Sequence, residues 1–141
     1  MRGSCGLCLS DLITIHQKTG IGRLSAYCGA VSAGVGAGCG IALLRGADYE
    51  GICHTLENAV AMISGCICDG AKASCASKIA MGVGCGLLGY DMYRNGDNFR
   101  PGDGILGVDV EDTIRHVGVL AAQGMRETDR VIPVSYTHLT L

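Results

Sequence analysis

Twenty-one consecutive residues, Leu24–Leu44, carry no charge, and Arg23 and Arg45 bracket them. Length alone would suit a membrane-spanning helix. Composition argues otherwise. Five Gly (Gly29, Gly34, Gly36, Gly38, Gly40), five Ala (Ala26, Ala30, Ala33, Ala37, Ala42) and two Ser (Ser25, Ser32) fill the stretch, and such residues gain little transfer free energy compared with Leu, Ile, Phe or Val. The reading that remains is a helix buried all round within a helical domain. Gly34 and Gly38 stand in the small-xxx-small spacing that lets two helix backbones approach closely. A Gly inside a helix costs about 1 kcal/mol relative to Ala, so several in one helix imply either packing that requires them or a break in the helix.

The same economy runs through the chain of 141 residues, enough for one domain. Its 23 Gly are well above the roughly 7% background, with only two Pro and no collagen period. Five Tyr, one Phe and no Trp leave the core to be built from Ala, Gly, Val, Ile, Leu and Cys. A net charge of −2, with acids and bases dispersed, gives no basic face for nucleic acid and no acidic tail.

Apolar periodicity elsewhere is helical. Leu9, Leu12, Ile13 and Ile15 mark a helix over Cys5–Lys18, closed by Lys18-Thr19-Gly20. Asp48 is a natural N-cap for a helix carrying Ile52, Leu56, Ala59, Val60 and Ile63. Asp69-Gly70 reads as a turn, followed by a helix from about Ala71 to Tyr93. Arg94–Gly107 is irregular, and Asp109 caps a last helix through Val110, Ile114, Val117, Leu120 and Ala121 to Gly124. No segment shows sustained strand alternation. The expectation is an all-α bundle of about five antiparallel helices with the Gly/Ala-rich helices central. Residues 1–133 form the domain. The last eight, Val134–Leu141, break the helical pattern and resemble the translation of a sequencing adapter, so His138 is set aside as part of a non-native tail.

Nine Cys, an odd number mostly within apolar stretches, suit a reducing cytoplasm better than a disulfide scaffold. Met1–Leu7 lacks the apolar run of a signal peptide. Most of these Cys read as small buried hydrophobes: Cys39, Cys53, Cys75 and Cys85 by default, and Cys66 as well. Cys5-Gly-Leu-Cys8 lacks the second Cys pair of a zinc finger. Cys68 is different, because it sits where a turn feeds a helix start. Unpaired N–H groups there favour the thiolate, the form that binds metal. Lys72, one turn on, could steady that thiolate or hold a substrate carboxylate, and Asp69 could cap the helix or transfer a proton. Cys28 lies near another helix start, 40 residues away (68 − 28), so only tertiary packing can join the two. His54, Glu57 and Asn58 share a helix face that reads as solvated or capped, and His16 and His116 read as surface residues. Arg23 is a helix-start charge or a carboxylate binder. The Gly34-x-Gly36-x-Gly38 run follows no strand and is not a dinucleotide fingerprint.

The order Gly22-Arg-Leu-Ser-Ala-Tyr-Cys28-Gly, Glu57-Asn58, Ile63-Ser-Gly65, Cys68-Asp-Gly-Ala-Lys72, Asp103-Gly-Ile105, Asp109–Ile114 and Glu127–Arg130 resembles the C-terminal half of the L-cysteine desulfidase and L-serine dehydratase alpha-chain family, over residues 3–132. The resemblance implies a 4Fe-4S cluster on three Cys, whose open iron serves as a Lewis acid in β-elimination from L-cysteine or L-serine. The aminoacrylate so formed hydrolyses to pyruvate and ammonia. By matched position Cys28 and Cys68 are two ligands. The third is expected in the N-terminal region that this chain lacks, on the same chain or a sister subunit. Asn58 is raised as a substrate contact beside Lys72 and Asp69. Thiolates are the usual cluster ligands, and an open metal position is what Lewis-acid catalysis requires. This chain departs from the family at Ala30, where a second Cys is frequent. A fragment would be inactive alone, and homo-oligomerisation stays open. The alternative is a non-enzymatic Cys-rich helical module that binds zinc or a protein.

Overall fold

The computed structural model describes residues 27–68 and 73–138, with side chains to residue 132. The expected helix over Cys5–Lys18 lies outside these residues. Five α-helices are described: α1 (Gly29–Leu44), α2 (Tyr49–Ile63), α3 (Ser74–Asn95), α4 (Val110–Val119) and α5 (Arg126–His138). The only extended pairing among the described residues is an antiparallel bridge between Tyr27 and Ile67. The fold is all-α, as the periodicity implies.

The Gly-rich segment forms one unbroken helix, and α1 packs most extensively on α3. The reason is close contact. A Cβ on Gly34 would lie 2.8 Å from the Cα of Gly82, and one on Gly38 2.6 Å from the Cα of Gly86. Two small-xxx-small pairs, one per helix, therefore face each other. Gly89 continues the row onto α2, where an added Cβ would lie 2.8 Å from the Thr55 carbonyl.

Asp48 caps α2 as expected, its Oδ1 accepting from Gly51 N at 2.8 Å. The stripe of α2 sinks Leu56, Ala59, Val60 and Ile63 into a core shared with Val31, Val35 and Cys39 of α1 and Val117 of α4. α3 runs two residues past its expected end at Tyr93, to Asn95, where Gly96 in the left-handed region (φ 78°) closes it. Its start differs: the helix begins at Ser74 and has no side-chain cap. Asp109 caps α4, accepting from Asp112 N at 2.8 Å. The helix does not run smoothly to Gly124. At Leu120–Gly124 the backbone widens into a π-turn, and α5 follows through Pro133 to His138. Residues 134–138 of the assigned tail thus continue a helix where their pattern suggested a break.

Candidate functional site

The site is assembled where α2 ends. After Ile63 the chain turns through Ser64-Gly65, with Ser64 N donating to Val60 O at 2.9 Å and Cys66 N to Ile63 O at 3.2 Å. This reversal lays Cys66-Ile67 antiparallel to Tyr27-Cys28, the Cys28 N–H donating to the Cys66 carbonyl at 3.4 Å. Cys28 and Cys66 are directly opposed across the bridge, and Cys68 follows immediately after Ile67. Lys78 ties the bridge to α3, its Nζ donating to the Ile67 carbonyl at 3.0 Å.

Cys28 is the N-cap residue of α1, 2% exposed, and makes no side-chain cap hydrogen bond. Cys66 and Cys68 are half-buried against the same core cluster, which also takes in Cys85 of α3. Burial pushes the Tyr27 hydroxyl up to about 12, with the Cys66 and Cys28 thiols adding to the rise. Burial likewise pushes the Cys85 thiol up, and Cys66 contributes. Cys28 and Cys66 thus lie by Tyr27, with Cys68 and Cys85 packed against the same core cluster, and all four thiols are free. Among the described residues no three His, Cys, Asp or Glu side chains are placed to hold a metal ion. The donor set is nonetheless soft and uniformly thiol, in apolar surroundings, which suits an iron–sulfur cluster better than a hard cation.

The other expected site residues are scattered. Asp69 and Lys72 lie outside the described residues. Cys68 is placed by the bridge, six residues before the described start of α3 at Ser74. Asn58 is fully buried, with its amide engaged on all sides: Nδ2 donates to the Gly89 carbonyl and to Asn98 Oδ1, both at 3.0 Å, while Oδ1 accepts from Phe99 N at 3.1 Å. It joins α2, α3 and the loop after α3. Cys39 is core as expected, whereas Cys53, Cys66, Cys75 and Cys85 are half-buried.

Sequence reasoning missed a second concavity, a cleft of about 340 Å³ between α2 and residues 99–110. Tyr49, Glu50, Cys53, His54 and Glu57 form its α2 wall. His54 is no free surface residue, since its ring stacks on Tyr93 at 5.5 Å and its Nδ1 lies 3.2 Å from Glu57 Oε2. Burial pushes the Glu57 carboxyl above its ordinary value, and His54 partly offsets this. Burial also raises the Cys53 thiol, opposed by a hydrogen bond with Tyr49. No sequence signal points to the cleft, because its far wall is loop. It stands roughly 15 Å along α2 from the Ser64 turn at about 1.5 Å per residue, so the two sites are separate. His116 is exposed as expected, its Nδ1 lying 3.0 Å from the Ile105 carbonyl.

A family model described as "Serine dehydratase alpha chain" matches residues 4–132. Among curated proteins, a UPF0597 protein of Desulfitobacterium hafniense is 56% identical over 126 residues, 89% of this chain and 29% of its own length. UPF0597 proteins of Treponema denticola and Finegoldia magna are each 50% identical, over 89% and 90% of this chain and 29% and 30% of their own lengths. The chain therefore spans about 30% of the length of these relatives. No solved structure matches.

Proposed function

The chain belongs to the serine dehydratase alpha chain family, and from that premise we propose that it is the cluster-bearing part of an iron–sulfur lyase. The reaction is β-elimination from L-cysteine, giving pyruvate, ammonia and sulfide, or from L-serine, giving pyruvate and ammonia. The observation that carries the reading is the bridge: it sets Cys28 opposite Cys66, two residues before Cys68, although 40 residues (68 − 28) of chain separate Cys28 from Cys68.

In this reading Cys28 and Cys68 hold two irons of a 4Fe-4S cluster, and the third thiolate comes from the part of the protein outside this chain. The cluster supplies a Lewis-acidic iron with an open position for the substrate. The protein does the rest. Buried Tyr27 and the core beneath it keep water from the thiol cluster. Lys72 steadies the Cys68 thiolate or holds the substrate carboxylate, and Asp69 moves a proton. Asn58 acts at one remove, fixing the Asn98–Phe99 segment against α2 and α3. The natural partner is the remainder of the enzyme, as further chain or as a sister subunit, and the compartment is the cytoplasm. Among the described residues no helix is long and apolar enough to cross a membrane. Residues 134–141 lie beyond the family match and are assigned to a non-native tail.

The test uses the parent gene with its upstream region, expressed and reconstituted anaerobically with iron and sulfide. Pyruvate release is assayed from L-cysteine and L-serine in parallel. Release from either substrate is expected, and the ratio names the substrate. A protein that holds iron and sulfide but releases no pyruvate from either would contradict the lyase assignment. Zinc without acid-labile sulfide would point instead to a non-enzymatic Cys-rich module.

A further inference from the structure

Between Lys78 and Asp91, α3 carries no charged residue, so Ile79–Tyr90 offers no polar face for water. A helix apolar all round is buried all round, yet among the described residues this one is covered on one side only. Gly82 and Gly86 meet α1 and Gly89 meets α2. On the opposite side Ala80 and Gly84 are exposed, with Met81 55% and Leu88 53% exposed beside them.

Gly84 is the most informative position. A Cβ added at Gly82, Gly86 or Gly89 would meet another residue at 3.0, 2.6 or 2.8 Å, whereas at Gly84 it meets nothing within 4 Å. An interior helical Gly costs about 1 kcal/mol, and no contact among the described residues explains that cost. Ala80 and Gly84 repeat the small-xxx-small spacing that Gly34/Gly38 and Gly82/Gly86 use for close backbone approach. The outer face thus has the chemistry of a second helix crossing: a small-residue seam flanked by Met81 and Leu88. The length of the relatives says what covers it. About 30% of their chain corresponds to these residues, so most of such a protein remains to be packed against them.

We infer that the outer face of α3, centred on Ala80, Met81, Gly84 and Leu88, is the docking surface for a helix from the portion of the full-length protein outside this chain. The inference rests on the reading of the chain as one part of a longer lyase. A second copy of the protein, or lipid, is the competing occupant.

The experiment places the photo-crosslinker benzoylphenylalanine at Leu88, and separately at Met81, in the full-length protein. Equal amounts of 15N-labelled and unlabelled protein are mixed before irradiation, and the products are mapped by mass spectrometry. The expected product joins position 88 or 81 to a residue of the same molecule outside the present 141. Links only to residues within the present 141, only between labelled and unlabelled molecules, to detergent or lipid, or no link at either position would overturn the inference. In the same full-length protein Gly84→Leu should lower Tm by about 5 °C, because a docked backbone leaves no room for the side chain. An unchanged Tm would also overturn it. Iron, sulfide and pyruvate are measured on the same preparations. Lost docking with intact pyruvate release removes only this inference, and the expected crosslink without pyruvate removes only the lyase reading.

Discussion

Asn58 is the residue with the fullest set of buried polar contacts. The resemblance raised it as a substrate contact, and in the fold its amide bonds to Gly89, Asn98 and Phe99. A buried amide with three such bonds, each contributing about 1 kcal/mol net, is a structural rivet. Asn58→Ala in the full-length protein should cost about 3 kcal/mol, read as a lower urea midpoint. A midpoint within error of the parent would show that the bonds are dispensable. Glu57 carries a pH signature. Its folded-state carboxyl titrates above the ordinary value of 4.5, chiefly through burial, so the folded state holds the proton more tightly than the unfolded one. Stability from this group is then present at low pH and lost as pH rises from about that value through the raised folded value. Glu57→Gln should flatten that part of the Tm profile, and an unaltered slope would assign it to other groups.

Helices were legible because their punctuation is local. Asp48 and Asp109 cap where expected, and the apolar stripes of α2 and α4 face the core. The α1–α3 contact was half-legible: Gly34 and Gly38 announced a close approach, but not that Gly82 and Gly86 were the partners. Spacing within one helix says nothing of which helix it meets. The π-turn at Leu120–Gly124 had no local signal either, since Ala, Gln and Leu suit an α-helix equally well. The element-scale prediction is severe. Gly38→Ala puts a methyl 2.6 Å from the Gly86 backbone, which no rotamer change can relieve. It should cost about 3 kcal/mol, measured by denaturant unfolding of the full-length protein. A loss below about 1 kcal/mol would mean that the helices can separate at little cost.

For the molecule as a whole, the thiol cluster depends on a long-range event that no window of sequence contains. Cys28 and Cys68 were singled out by resemblance and by their supposed positions near helix starts. The fold has Cys28 at the head of α1, places Cys68 next to the bridge residue Ile67 and six residues before α3, and adds Cys66 opposite Cys28. Cys66 had read as core because a Cys in an apolar run ordinarily is; only the turn at Ser64-Gly65 reveals its position. The cleft at His54 and Glu57 was hidden for a similar reason, its second wall being the loop that Asn58 anchors.

The most direct measurement is iron and acid-labile sulfide per chain in the anaerobically reconstituted full-length protein, its Cys28→Ala and Cys68→Ala variants, and Cys39→Ala as a buried-thiol control. The account predicts that both cluster variants lose the greater part of their iron and sulfide while Cys39→Ala retains them. Full iron and sulfide in Cys28→Ala and Cys68→Ala would contradict the account.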